Sequence, residues 1–197
     1  MRYILFLLTI AFSIAANAEE YRSETFGVFV RVPDTWSITS GEIIDQEASA
    51  EVDLERLDAV SDRYKSRPSI SIISAAPRKL DKELEASFLL KYVHKDTVNA
   101  KAKARKVMGL YKQYYGNLDI LISGKDTTFN GKQSYFVSFE YIDKGRLTTM
   151  KLWLVDQGGF FHGIAHLYTR DVDSQLSGYP YKTYSQVLDN INHSIKL

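Results

Sequence analysis

Phe26, Val28, Val30 and Val32 alternate with Thr25, Gly27, Phe29 and Arg31 up to Pro33. That two-residue period predicts a strand over 25–33 with one buried face. After the Pro33-Asp34-Thr35 turn, Trp36 and Ile38 open a second short strand. Val52, Leu57, Val60 and Tyr64 can line one side of a helix ending before Pro68. Ile70, Ile72 and Ile73, before Pro77, form a β-branched run of the kind found in a buried strand. Asp81 reads as the N-cap of a helix carrying Leu84, Phe88, Tyr92 and Val93. A further helix is expected over 100–115, where Ala100, Ala104, Val107, Tyr111 and Tyr114 recur at helical spacing and Gly116 offers a stop.

From Leu118 the period changes to strands over 118–123, 134–142, 147–155 and 160–168. Asn130-Gly131, Asp143-Lys144-Gly145 and Gln157-Gly158-Gly159 separate them, which is hairpin chemistry. An antiparallel meander follows. The chain closes on a helix after Pro180, with Tyr181, Tyr184, Val187, Leu188, Ile191 and Ile195 at intervals of three and four. Several strands, 160–168 among them, are apolar on both faces, as in a sheet covered on both sides. The expected fold class is α+β, a mainly antiparallel central sheet with helices on both faces, an α/β/α sandwich. With no repeat, low-complexity tract or Pro/Gly-rich linker in the sequence, one domain is expected over 19–197.

The first eighteen residues read as a cleaved signal peptide: Arg2, an apolar run from Tyr3 to Ile14, then the small-residue site Ala16-Asn17-Ala18. The apolar run is short of the roughly 20 residues of a membrane span, and acidic Glu19-Glu20 follow it directly. No integral membrane segment is expected after cleavage, and the absence of cysteine removes the lipid attachment point of a lipoprotein. The expected location is periplasmic. Without cysteine the exported domain must rest on burial alone. The 179 residues left after removing 18 from 197, in a chain 45% apolar and 13% aromatic, allow that. Losing Arg2 leaves 24 basic against 24 acidic residues, which argues against nucleic acid as a partner. The charges are nevertheless segregated. Eight acidic residues lie between Glu42 and Asp62 against Arg56 alone, and six basic ones between Lys91 and Lys106 against Asp96. Such a dipole either steers the protein to a charged partner or an anionic membrane surface, or is two solvated helix faces.

The opening Phe26-Gly-Val-Phe-Val-Arg-Val-Pro33 strand with Trp36 after it, the late meander behind Phe129-Asn130-Gly131 and the closing Ile191-Asn-His-Ser-Ile195 together resemble the PsbP-like family. That family includes the extrinsic subunit of photosystem II and exported bacterial proteins of the DcrB type. The resemblance spans nearly the whole of 19–197. It implies a helix–sheet–helix sandwich and a non-enzymatic role in binding or in maintaining a larger assembly, and it transfers no functional residue.

Catalytic signatures are sparse. His162 and His166 have the spacing of a helical metal pair, but on a strand four residues put the rings roughly 13 Å apart, too far for one zinc with bonds of about 2 Å. They read as hydrogen-bonded sheet histidines, and no metal or cofactor is expected. There is no Gly-x-Ser-x-Gly elbow and no cysteine nucleophile. Ser123-Gly124-Lys125 lacks the upstream glycine of a phosphate loop, Gly158-Gly159 is a turn, and Asp45 to Asp62 lacks the glycine of a calcium loop. Glu83 with Glu85 and Asp171 with Asp173 are paired carboxylates whose geometry only the fold decides.

The thirteen tyrosines are the unusual feature. Tyr111, Tyr114 and Tyr115 adjoin Lys101, Lys103, Arg105 and Lys106, a combination that suits a protein interface and also suits half-buried packing. These seven residues are the candidate partner-binding set. The expected function is a non-enzymatic periplasmic binding or assembly-support protein contacting a protein or an envelope component, with peripheral contact to anionic lipid as one form. The alternatives are an envelope hydrolase whose site is assembled from distant segments, and a small-ligand or metal carrier. Expression of the full chain should yield a protein whose N-terminal sequencing starts at Glu19; recovery of material starting at Met1 would contradict the cleavage.

Overall fold

The computed structural model describes residues 18–40, 69–79, 84–97, 99–171 and 179–197, with the side chains of 40 and 179–182 left aside. The expected signal peptide, the helix through Val52 to Tyr64 and the Asp81 cap lie outside the described residues. The described strands are β1 (Ala18–Ser23), β2 (Val28–Pro33), β3 (Trp36–Ser40), β4 (Ser69–Pro77), β5 (Leu84–His94), β6 (Leu118–Phe129), β7 (Lys132–Asp143), β8 (Arg146–Asp156) and β9 (Phe160–Asp171). Two helices accompany them, α1 (Ala100–Tyr115) and α2 (Tyr179–Ser194). β1 and β2 form a two-stranded ribbon, and the rest form a seven-stranded sheet in the order β3-β4-β5-β9-β8-β7-β6. Every neighbouring pair in both sheets is antiparallel. The fold is therefore a sheet-dominated α+β.

The order records a simple path. After β5 the chain runs through α1 to the far edge, and the meander β6 to β9 then returns until β9 pairs with β5 along eleven registered positions, from Leu84 with Arg170 to His94 with Phe160. Positive-φ residues make the meander's turns: Asn130 and Gly131, Lys144 and Gly145, and Gly158.

β9 is buried along both faces, and its side chains alternate between two apolar cores. Phe160, Ile164 and Tyr168 join Phe88, Leu90 and Tyr92 of β5 with Leu188 and Ile191 of α2. Phe161 and Ala165 join Val137, Phe139, Leu152 and Leu154 with Ala104 of α1. Each helix thus has its own core. The valines of β2 cap the first core at 0–2% exposure, and the chain end is tied to them. Phe29 and Lys196 exchange backbone hydrogen bonds of 2.9 and 3.0 Å, and Ser194 Oγ accepts from the Arg31 amide at 2.9 Å.

α1 starts at an N-cap, Asn99, whose side chain accepts from the Ala102 amide at 2.9 Å, and ends at Gly116 with φ 77°. Two expectations are corrected. The opening strand starts at Val28 rather than Thr25, because Gly27 (φ 60°) closes a turn on Glu24 and sends the chain back against β1. The segment carrying Leu84, Phe88 and Tyr92 is strand β5 rather than a helix. A spacing of four is even, so it satisfies both a helical face and a strand face. The buried Ala86 and Leu90 between these positions, against exposed Glu85 and half-buried Ser87 and Lys91, settle it as period two.

Gly124 in β6 sits at φ 113° directly beneath the Tyr135 ring, where a Cβ would overlap the phenol. Gly116 has a positive φ but open space around it. Gly124→Ala should therefore cost about 1–3 kcal/mol in urea unfolding and Gly116→Ala clearly less; equal losses would show that the Tyr135 contact is immaterial.

Candidate functional site

The seven candidate residues lie on α1, and the structure divides them. Lys103 is only 7% exposed. Its ammonium lies 2.9 Å from Asp96, and Lys106 reaches the other oxygen of the same carboxylate at 2.9 Å. Hydrogen bonds from both lysines hold the Asp96 carboxyl down at about 2. Lys103 and Lys106 are thus engaged within the molecule. Lys101 and Arg105, joined by Lys112, are exposed. At the 3.6 residues per turn of an α-helix they fall within about 40° of one another, a single cationic stripe.

The tyrosines divide as well. Tyr111 packs against Phe139 and Tyr141 with ring centroids 5.3 and 5.1 Å apart, and Tyr115 stacks on Tyr141 at 4.3 Å. Burial, reinforced by neighbouring phenols, pushes the Tyr111 and Tyr141 hydroxyls above their ordinary ionisation range. These two rings and Tyr115 are packing residues. Tyr114 is different, at 87% exposure. It stands with Leu110 on the opposite flank of α1 from the cationic stripe, so the structure does not bring the seven together as one surface.

The paired carboxylates resolve into ion pairs. Glu85 and Asp171 both bind Arg146, at 2.6 and 3.1 Å, while Glu83 and Asp173 lie outside the described residues. Asp156 binds Lys95 at 2.9 Å and also accepts from the Gly158 amide, which fixes the Gly158-Gly159 turn. Ser123-Gly124-Lys125 runs along β6 under Tyr135. A cleft of about 420 Å³ opens at the strand ends beside Arg146, Glu85, Thr148 and Thr169. A wider groove of about 630 Å³ lies over Phe29, where Arg22, Arg31 and Lys196 stand 5.9, 5.5 and 5.4 Å from the ring centroid.

His162 and His166 project into the first core with Phe160 and Ile164, at 1% and 0% exposure. His166 Nε2 donates to Asn192 Oδ1 at 2.9 Å, so the expectation of a hydrogen-bonded sheet histidine holds for His166. His162 lies against the backbone of Phe26, in the turn before β2. No group of three His, Asp or Glu among the described residues could hold a metal ion. Burial is the main cause that depresses both rings, His162 to about 3 with Lys132 adding to it and a hydrogen bond to the Phe26 backbone opposing it, and His166 to about 4 against the opposing pull of Asn192 and Asp189.

Sequence reasoning missed the edge strand. Ile120, Leu121 and Ile122 are 54%, 51% and 39% exposed on β6, although an unbroken apolar run reads as a buried strand. Asp119 before the run and Lys125 after it were the available signal of an edge.

No protein-family model matches the chain, and no curated protein sequence does. Solved structures do. The Saccharomyces cerevisiae Ran-binding protein Mog1p is 10% identical, with 92% of this chain and 96% of that one covered and a TM-score of 0.50. A mutant of protein Mog1 is 9% identical over 91% and 95%, with a TM-score of 0.51. LpqN, involved in cell envelope biogenesis of Mycobacterium tuberculosis, is 12% identical over 93% and 86%, with a TM-score of 0.47. At these identities the likeness to the Mog1 structures is one of fold. Among the described residues no helix is long and apolar enough to cross a membrane.

The histidines generate a pH dependence. Their folded-state values lie below the ordinary 6.5, so below that pH the unfolded chain takes up protons that the folded chain refuses. Stability is then lost as pH falls from about 6.5 toward 4. The loss at pH 5 is on the order of 2 kcal/mol per ring. The melting temperature should be lower at pH 5 than at pH 7 by roughly 5 °C or more, and His162→Phe should shrink that difference. A melting temperature that does not change with pH would show that the rings are hydrated rather than dry.

Proposed function

We propose that the protein is a non-enzymatic binding or assembly-support protein of the exported PsbP-like kind, an α/β/α sandwich working in the periplasm on a protein or envelope component. The observation that carries this reading is the exposed cationic stripe of Lys101, Arg105 and Lys112 on α1, with Asp96 ahead of the helix already taken up by Lys103 and Lys106. A cationic stripe exposed along one flank of a helix can meet an anionic patch on a partner or anionic lipid headgroups. Two apolar cores, each with one helix and with alternate residues of β9, support the sandwich. Ala18 and Glu19 are exposed at the start of β1, so a free amino terminus at Glu19 needs no room in a core.

The distribution of polar groups favours binding over hydrolysis. Arg146 and the carboxylates Glu85 and Asp171 neutralise one another, and the buried histidines face amide and apolar neighbours rather than a nucleophile. A fold shared with a Ran-binding protein serves binding in at least that case, and what that protein binds is its own property.

In-cell crosslinking followed by mass spectrometry of the purified protein should return a reproducible envelope partner or lipid. Lys101→Glu with Arg105→Glu should weaken its capture, or binding to anionic vesicles at low salt, about tenfold or more. Lys103 is excluded from this test, because its substitution would strand Asp96 rather than report on a surface. Binding that ignores the reversal would overturn the proposed surface.

A further inference from the structure

β6 is an edge of the seven-stranded sheet, and its middle carries three consecutive exposed apolar side chains, Ile120, Leu121 and Ile122. An edge strand left to solvent is ordinarily broken by charge or shortened, and an exposed apolar triplet at its centre calls for a partner. The pairing with β7 shows what surrounds the triplet. Ile120 sits opposite Phe139, Ile122 opposite Ser138 and Lys125 opposite Phe136, so β6 holds one extra residue on each side of Ile122. Asp119 sits opposite Glu140. Because Glu140, Ser138 and Phe136 share one face of β7, Asp119, Ile122 and Lys125 share one face of β6.

This arrangement is symmetric about Ile122. A copy turned by 180° and laid antiparallel along β6 places Ile122 against Ile122, Asp119 against Lys125 of the second copy, and Lys125 against Asp119 of the second copy. The bulge between Ile120 and Ile122, which would obstruct a straight foreign strand, then faces the irregular stretch between Ile122 and Lys125 of the second copy. Charge, apolar contact and backbone irregularity are each self-complementary under the same rotation, as an isologous interface requires.

We propose that a second copy of this chain pairs along β6, joining the two seven-stranded sheets edge to edge across a two-fold axis at Ile122. The seam is one strand wide, at the small end of specific interfaces, so the dimer forms and dissociates with concentration.

The test is sedimentation velocity on protein purified after expression of the full chain, from low to high micromolar concentration, with circular dichroism confirming that each variant is folded. The wild-type protein should shift from monomer to dimer as concentration rises. Asp119→Lys alone sets lysines against lysines and Lys125→Asp alone sets carboxylates against carboxylates, so each should weaken self-association about fivefold or more. An equimolar mixture of those two variants pairs opposite charges at both positions and should recover a heterodimer near wild-type strength. Ile122→Lys should abolish pairing. A protein that stays monomeric at every concentration, a dimer that ignores the single reversals, or a mixture no stronger than either variant would each overturn the proposal. Recovery by mixing cannot arise from misfolding, nor from an interface elsewhere on the molecule.

Discussion

Burying β9 on both faces is the constraint from which the rest of the architecture follows. From Phe160 to His166 every side chain is buried, and successive residues enter different cores. A strand of this kind cannot lie at an edge or present a face to water. It therefore needs a hydrogen-bonded strand on each side, and β5 and β8 supply them. Each of the two cores it feeds also contains one helix. The crossover after β5 satisfies both needs, since it lays α1 against the second core and carries the chain to the far edge, so that the meander returns β9 to β5. Any register slip of β9 by one residue would exchange the two cores and place His162 and His166 among the aromatic side chains packed by α1.

The parts of this architecture that were legible in the sequence are the local ones. Hairpin chemistry at Asn130-Gly131, Asp143-Lys144-Gly145 and Gln157-Gly158-Gly159 marked the meander because these turns need positive φ, which few residues tolerate. α1 was legible for the same reason, through its capping glycine and its one apolar face. β5 was misread because its large side chains, Leu84, Phe88 and Tyr92, sit at a spacing that a helix and a strand share, while the small Ala86 that distinguishes them carries little weight in a hydrophobic pattern. The split of the opening strand turned on Gly27, whose positive φ cannot be read from an alternation that continues across it. The exposure of Ile120 to Ile122 was marked only by the charges of Asp119 and Lys125 on either side of the run. A run of apolar residues reports that a surface is to be covered and does not report by what.

The candidate surface shows the same limit at the level of chemistry. Six basic residues cluster between Lys91 and Lys106, and a linear count assigns them all to one charged patch. In the structure Lys103 turns inward to Asp96, Lys106 is held by the same carboxylate, and Lys95 is held by Asp156. Charge density along the chain therefore overstated charge available to a partner. Burial also separated the tyrosines. Tyr111 and Tyr115 follow Tyr141 into an aromatic stack because their positions on α1 face β7, whereas Tyr114, on the outward flank, is left in solvent. Phase around the helix axis, rather than proximity in sequence, decided which residues could act.

The two buried histidines are the remaining polar commitment that the fold does not need for packing. His162 lies against the Phe26 backbone and His166 against the Asn192 amide, so each ring is buried beside an uncharged polar group. Burying such a ring costs little at neutral pH, where imidazole is already mostly uncharged, and costs more with each step of acidification. His166 adds a link between β9 and α2 through Asn192, so protonation would act on the strand buried on both faces and on the helix of its first core together. The sheet then holds its acid sensitivity at its centre and its charged surface on α1, beyond β7. The two are separated by the second core, so acid acts on the stability of the fold at a distance from the charges of α1.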